Sequence, residues 1–502
     1  MSRALLVLAL SLALAGPAAA ATIRGTALGE FVRGGEAADR IFARAGDDRI
    51  AAAFGGKDTV ACGAGRDIVT ADLTDRVEAD CEIVSRRLSV DTTTNPASQH
   101  ETAIEPDSFA YGSTVVAAFQ VGRFEKIGAA SAIGFAVSTN AGRTWRRGML
   151  PSLTTESKPA GDQDRASDPS VAYDAVHGVW LVTSLTLGQR ASSIFVSRST
   201  DGLHWEAPVR VTTGPELDKE WIDCDNGVSS PFRDHCYAVY TDDALHRIFS
   251  QTSADGGLTW SPAVRVTGEL IGAQPLVRPD GTLVVVVADL PDNRTGTIIA
   301  FRSTDGGATF GTPTRVSDVQ WRSPDRMRAI PLPSAAVDAA GTLFVAWHDC
   351  RFRAGCSADD IVVSSSSDGT SWTPPVRIAV DSISSGVDHF ITGLDADPQV
   401  PGRLALVYGF FEPHSCARGA CRLEMGFTSS PDGGGTWTRQ QRLDVESMSL
   451  DWLARASGGQ MVGDYFSTSI AGGRAVPVFT LAAPPVRGRL REAIFGTSLP
   501  LS

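Results

Sequence analysis

The octapeptide Ser253-Ala254-Asp255-Gly256-Gly257-Leu258-Thr259-Trp260 constrains this chain more than any other stretch, because variants of it divide most of the sequence into similar units. Its pattern is Ser-x-Asp-x-Gly-x-x-Trp, with apolar β-type runs before it (Arg247 to Gln251) and after it (Ala263 to Val266). The pattern predicts a hairpin. A short Asp side chain accepts backbone N–H groups across the turn, Gly supplies a positive φ, and the aromatic ring re-enters an apolar layer. Six copies can be read, ending at Trp145, Trp205, Trp260, Phe310, Trp372 and Trp437; the first carries Asn140 for the aspartate, and the second and fifth are one residue short. Successive aromatic ends lie 50 to 65 residues apart, enough for one four-stranded antiparallel sheet per unit. That is the spacing of a propeller.

Upstream of the motif each unit carries two further apolar strands, for example Pro169 to Tyr173 and Val179 to Ser184, so the motif joins strand three to strand four. A last unit follows the sixth motif: Phe466 to Ile470, Val476 to Leu481 and Glu492 to Thr497 give three strands and no motif. The segment Leu88 to Thr92 is expected to supply its fourth strand and so remove a raw sheet edge. The fold expected is all-β, a seven-bladed β-propeller of four-stranded blades (alternatively six-bladed, with an appended β-sandwich), preceded by a small parallel β-roll. The domain limits expected are 1–21, 22–85 and 86–502.

Residues 1–21 show the tripartite pattern of a secretory signal peptide: Arg3, the apolar run Ala4 to Ala15, then small residues with Ala18-Ala19-Ala20. The run is too short to span a bilayer, and no later stretch is long enough. Export together with an even cysteine count favours disulfides, and the eight cysteines fall into close sequential pairs, Cys62/Cys81, Cys224/Cys236, Cys350/Cys356 and Cys416/Cys421. The net charge of −12 argues against nucleic acid or an anionic membrane surface as the main partner.

Between Gly25 and Val77 an aspartate precedes an aliphatic residue by two positions at intervals of eight to ten residues (Asp39/Ile41, Asp48/Ile50, Asp58/Val60, Asp67/Val69, Asp75/Val77). This fits a parallel β-roll burying one aliphatic per rung. Gly63-Ala64-Gly65-Arg66-Asp67-Ile68-Val69 and Phe54-Gly55-Gly56-Lys57-Asp58-Thr59-Val60 resemble the calcium-binding repeats of haemolysin-type proteins. The resemblance implies calcium on Asp48, Asp58 and Asp67; a calcium-free cap whose aspartates close turns is the alternative.

The six motifs, at this spacing, resemble the Asp-box, or bacterial neuraminidase repeat, and residues 88 to 498 look like a sialidase-superfamily propeller. In that family the boxes lie away from the active site, so Asp201, Asp255, Asp305, Asp368 and Asp432 are expected to be structural. The resemblance implies three arginines gripping a substrate carboxylate, a tyrosine nucleophile polarised by a glutamate, and an aspartate as acid/base. The family's Phe/Tyr-Arg-Ile-Pro signature is absent from the first strand; the nearest string is Arg328-Ala329-Ile330-Pro331, several blades later.

Polar groups at the start of each innermost strand converge on a propeller's channel. Here they read Glu101, Asp168, Glu220, Gln274, Arg328, His389 and Asp464-Tyr465. A hydrolase would take Tyr465 as nucleophile, Glu220 as its base, Asp168 as acid/base, and Arg165, Arg328 and Arg351 as the carboxylate grip. The alternative is that these groups cap strands and line a water-filled channel. His348 lacks an accompanying Gly-x-Ser-x-Gly elbow, and Trp221 and Trp321, outside the boxes, are the tryptophans free to stack on a sugar. The function expected is an exported sialidase-like protein that binds or acts on extracellular glycans. A glycoside hydrolase of exo-sialidase type with an altered site and a non-catalytic cell-surface scaffold are the alternatives.

Overall fold

The computed structural model describes residues 19–501 apart from 189–190, 269, 413–415 and 417–420; the expected signal peptide lies almost wholly outside them. The described chain begins as a parallel β-solenoid of two ladders. Thr22–Arg24, Arg40–Ala45, Thr59–Ala64 and Arg76–Val77 form one, and Phe31–Arg33, Arg49–Ala51, Ile68–Asp72 and Ile83–Arg87 the other. The eight-to-ten-residue step is thus half a turn, and the two ladders enclose Ile41, Ile50, Val60 and Val69.

Each rung aspartate stitches one turn to the next. Asp58 Oδ1 accepts the N–H of Asp39 (2.7 Å) and Asp75 Oδ1 that of Asp58 (2.9 Å) in one column. In the other, Asp48 accepts from Glu30 (2.9 Å) and Asp67 from Asp48 (2.8 Å). Asp58 therefore stands in a different column from Asp48 and Asp67. Among the described residues no three acidic or histidine ligand atoms of the solenoid converge within 4.8 Å. Calcium takes six to eight oxygens; standing in two columns, the three residues would not share one ion, and the second carboxylate oxygen of each is buried without a hydrogen-bond partner.

Four-stranded antiparallel sheets follow in sequence, each running from an innermost strand outward; the third, for example, is Leu217–Cys224, Cys236–Asp242, Arg247–Ser253 and Val264–Thr267. The innermost strands are Gln99–Tyr111, Arg165–Asp174, Leu217–Cys224, Ile271–Val277, Ser334–Val337, Asp388–Ala396 and Ser467–Ala471. Each packs beside the next, and the last packs beside the first, so the sheets close into a ring around a channel.

The final sheet is completed from the solenoid. Ile83–Arg87 pairs in parallel with Ile68–Asp72 and antiparallel with Glu492–Thr497 (Phe495 opposite Arg87, Thr497 opposite Ser85). The closing strand begins five residues before the expected Leu88 to Thr92, whose first residues continue the pairing, Leu88 N–H donating to the Ile494 carbonyl (2.7 Å) and Ser89 Oγ accepting from Ile494 N–H (2.9 Å); the expected 85/86 boundary falls inside the strand. Ile83 and Val84 fit a solenoid rung and a propeller edge equally well, and one strand serves both.

The boxes act as latches. Ser253 Oγ accepts from Gly257 N–H (2.9 Å), and Asp255 Oδ1 accepts from Leu258 (3.0 Å) and Thr259 (2.9 Å). Backbone N–H donors from Ser371 and Thr370 hold the equivalent Asp368 well below the usual carboxylate range. Gly257 sits at φ 83°, and a Cβ there would lie 3.1 Å from Leu181 of the preceding sheet, so the box turn docks against its neighbour. All four sequential cysteine pairs are disulfides, including Cys62–Cys81 across the solenoid and Cys224–Cys236 between adjacent strands, beside Cys350–Cys356 and Cys416–Cys421.

Candidate functional site: the central channel

A repeated hydrogen bond builds the channel wall. One side chain on each innermost strand accepts a backbone N–H from the next strand. Asp107 takes Val171 (2.7 Å), Ser170 takes Ile222 (3.3 Å), Asp223 takes Val277 (2.8 Å) and Gln274 takes Ala335 (2.9 Å). Ser334 takes Leu394 (2.9 Å), Asp395 takes Ile470 (2.7 Å), and Ser467 takes Ser108 (3.0 Å), which returns the circuit to the first strand. Inner-strand N–H groups that face a channel have no sheet partner, and these clasps satisfy them. Gln274, expected as a channel group, is one of them.

Beneath the clasps, several innermost strands bulge. Glu105 (φ 51°), Asp168 (φ 43°) and Lys219 (φ 49°) are in the left-handed region, each where its ladder slips register. Such bulges re-aim a side chain, and non-glycine residues there carry strain that clusters at functional sites. Here they gather one ion cluster. Lys219 Nζ lies 3.0 Å from Asp168 Oδ1, 2.9 Å from Asp464 Oδ2 and 3.5 Å from Glu105 Oε1. Arg328 clamps Asp464 with two bonds of 2.7 and 2.6 Å, and Gln120 donates to Glu105. Although burial works against its charge, Asp464 is held well below the usual carboxylate range by Lys219 and Arg328. Burial raises Glu105.

The channel above this cluster has a volume of about 720 Å3. Its floor carries Asp168, Lys219, Glu220, Trp221 and Tyr465. Trp221 meets Tyr465 edge-on, with ring centroids 4.9 Å apart, and Lys219 Nζ stands 5.7 Å from the Tyr465 ring centre. Two floor groups have no hydrogen-bond partner although they are buried: both oxygens of Glu220 and the hydroxyl of Tyr465. Burial, then the neighbouring Asp168, pushes the Glu220 carboxyl far up; burial, then Glu105 and Asp168, does the same to the Tyr465 hydroxyl.

Of the six residues expected for a hydrolase, four meet here: Asp168, Glu220, Tyr465 and Arg328, the last through Asp464. Two do not. Arg165 turns its guanidinium to the carbonyls of Ile127 and Gly128, and Arg351 is engaged by Asp349 through bonds of 2.7 to 3.0 Å. The three arginines therefore do not converge on a common anion position. Glu105, Lys219 and Gln120 belong to the cluster and were not among the expected residues. Trp221 faces the channel as expected; Trp321 is buried in the packing between the fourth and fifth sheets. His348 is buried with its acid form disfavoured, pushed down to about 3 by desolvation. His389 stands in a separate cluster with Asp360 and Asp381, where Arg353 binds both carboxylates.

Residues 193–462, more than half of the chain, match the BNR repeat-like domain. The chain belongs to that family. Among solved structures, the chain is similar to a protein of unknown function from Dyadobacter fermentans (14% identity, 68% of this chain and 98% of that one, TM-score 0.41). It is also similar to a Hadza microbial sialidase (16%, 83% and 69%, TM-score 0.43) and to an ulvan lyase of polysaccharide lyase family PL25 (11%, 80% and 95%, TM-score 0.46). No curated protein matches. Within the BNR repeat-like family, what this chain does rests on its own channel.

The wall aspartates also set a pH dependence. Burial pushes Asp107, Asp223 and Asp395 each up to about 7. Unfolded aspartate titrates near 4, so between these values the folded chain holds protons that the unfolded chain releases. That stabilisation is complete below pH ~4 and is lost as the pH rises through ~7. Asp464 has the opposite sign and loses its contribution only in strong acid. The midpoint of thermal unfolding is expected to be higher at pH 5.5 than at pH 8, and Asp107→Asn with Asp223→Asn to flatten that slope in scanning calorimetry.

Proposed function

We propose that the chain is an exported glycan-binding protein whose ligand enters the central channel and reaches the floor formed by Glu220, Trp221 and Tyr465. The observation that carries this reading is the pair of buried, unpartnered groups on that floor. Elsewhere in the channel the polar side chains clasp strands or pair with one another. Leaving Glu220 and Tyr465 without partners costs free energy that a ligand's hydroxyl or amino groups would recover. The adjacent aromatic pair is the apolar surface a pyranose ring stacks on. Export is supported by the N-terminal pattern and the four disulfides.

A second reading, glycoside hydrolysis, is favoured by the meeting of Tyr465, Glu220 and Asp168. The dispersed arginines argue against a carboxylated substrate for it. A glycan array probed with the mature chain, beside Tyr465→Phe and Glu220→Gln, tests binding. Binding that both variants weaken is the expected result, and binding indifferent to both would remove the floor from the site. Release of a fluorophore from neutral aryl glycosides, abolished in Tyr465→Phe, would favour hydrolysis.

A further inference from the structure

The wall of the channel is polar, yet the fold has already used its charge. Asp107, Asp223 and Asp395 each accept a backbone N–H from a neighbouring strand, and burial holds all three toward their neutral forms below about pH 7. Asp338 accepts three N–H groups, from Ala340 (2.9 Å), Thr342 (2.9 Å) and Gly402 (2.8 Å). Asp397 takes the N–H of Gln399 (2.8 Å) and the guanidinium of Arg403 (3.1 Å). Lys219 is matched by Asp168, Asp464 and Glu105. Among the described residues no arginine lines the channel. A charged ligand of either sign would therefore lose its hydration there without meeting a free counter-charge.

What the wall leaves open is of another kind. Of its carboxyl groups, Glu220 is the one without a partner, and burial holds it toward the neutral acid. The Tyr465 hydroxyl is likewise unpartnered, and burial makes it keep its proton. A carboxylic acid and a phenol each offer one O–H donor together with acceptor lone pairs. A sugar hydroxyl, which both donates and accepts, matches that pattern without any charge. Beside these groups Trp221 stands edge-on to Tyr465, with centroids 4.9 Å apart, an apolar surface for the C–H face of a ring. The channel volume of about 720 Å3 lies within the roughly 300–1,000 Å3 of small-ligand sites.

We propose that the ligand of the channel is a short neutral oligosaccharide, recognised through its hydroxyl groups by Glu220 and Tyr465 and carrying neither a carboxylate nor an ammonium. This rests on the glycan-binding reading and adds its ligand class. A uronic or sialic acid finds no free guanidinium to grip it, and an amino sugar finds no free anion. Either would have to break a pairing that holds the ring together.

A glycan array carrying neutral, carboxylate-bearing and amino-bearing glycans, read with the whole mature chain at about pH 6, ranks the classes. The strongest responses are expected from neutral glycans. In calorimetric titration the affinity of the strongest one is expected to change less than about twofold between roughly 0.05 and 0.5 M salt, whereas a ligand held by ion pairs would lose about tenfold or more. Tyr465→Phe is expected to weaken it about fivefold, the worth of one hydrogen bond. The thermal midpoint should not fall, since that hydroxyl has no partner to lose within the chain. Charged glycans ranking first, salt-sensitive and weakened by Tyr465→Phe, overturn the ligand class and leave the glycan reading standing. Binding of any class that is indifferent to Tyr465→Phe and Glu220→Gln alike overturns the floor as the site, and both readings with it. A silent array overturns both as well.

Discussion

Replacing Lys219 by Met is expected to be the most damaging single substitution in the ring, lowering stability by about 3–5 kcal/mol, the cost of removing one partner from a buried ion cluster. Lys219 Nζ is the cation shared by Asp168, Asp464 and Glu105 (3.0, 2.9 and 3.5 Å), two on different innermost strands and Asp464 in the loop before Ser467–Ala471. Arg328 would still serve Asp464, but Asp168 and Glu105 would be left as buried charges with no cation at that distance. Both groups sit on strained bulges that the ion pairs help to hold, so the floor of the channel would loosen with them. Denaturant unfolding of the Met variant measures the loss. Lys219→Met combined with Asp168→Asn is expected to recover part of it, since one of the stranded carboxylates is gone. An additive double variant would mean that the two residues do not act as a pair.

The second large effect concerns ring closure. A chain beginning at residue 89 is expected to collect as aggregate, or to melt more than about 10 °C lower, whereas a chain beginning at residue 82 keeps the ring. The difference is the strand Ile83–Arg87. It caps the edge of Glu492–Thr497, where Ser85 Oγ bonds Thr497 Oγ1 (2.6 Å) and Ile83 enters the last core cluster. Without it the final sheet exposes a bare edge, the usual route to edge-to-edge association. Size-exclusion chromatography with thermal unfolding of the two truncations reads the outcome. Equal stability would show that the solenoid strand does not close the ring.

The ring was legible in the sequence because its signal is local and repeated. The residues of each box lie within eight positions, and the side-chain hydrogen bonds of its Ser and Asp stay within that span. The cysteine pairs were legible for the same reason. The sequence shows the closing strand only from Leu88 on, because Ile83 and Val84 carry the pattern of a rung and nothing local says that their strand's other edge meets residue 495. The aspartate spacing of the solenoid marks half-turns, so Asp58 stands in one column and Asp48 and Asp67 in the other, which the linear pattern alone does not show.

The floor of the channel was half legible. Asp168, Glu220, Arg328 and Tyr465 stand at or just before the start of innermost strands, a position the sequence shows. Glu105 and Lys219 were missed because a bulge breaks the alternation of facing residues, and only the folded ladder reveals the slip. Arg165 and Arg351 begin or flank the right strands, yet their guanidinium groups are occupied by the carbonyls of residues 127 and 128 and by Asp349. Side-chain partners so far apart in sequence, or so dependent on loop shape, leave no trace in a motif.

The account stands most directly on where a bound oligosaccharide lies. A crystal structure of the mature chain soaked with the tightest-binding oligosaccharide is predicted to show it inside the channel, with one ring against Trp221 and Tyr465. Density on the outer surface of the ring, with the channel empty, would contradict it.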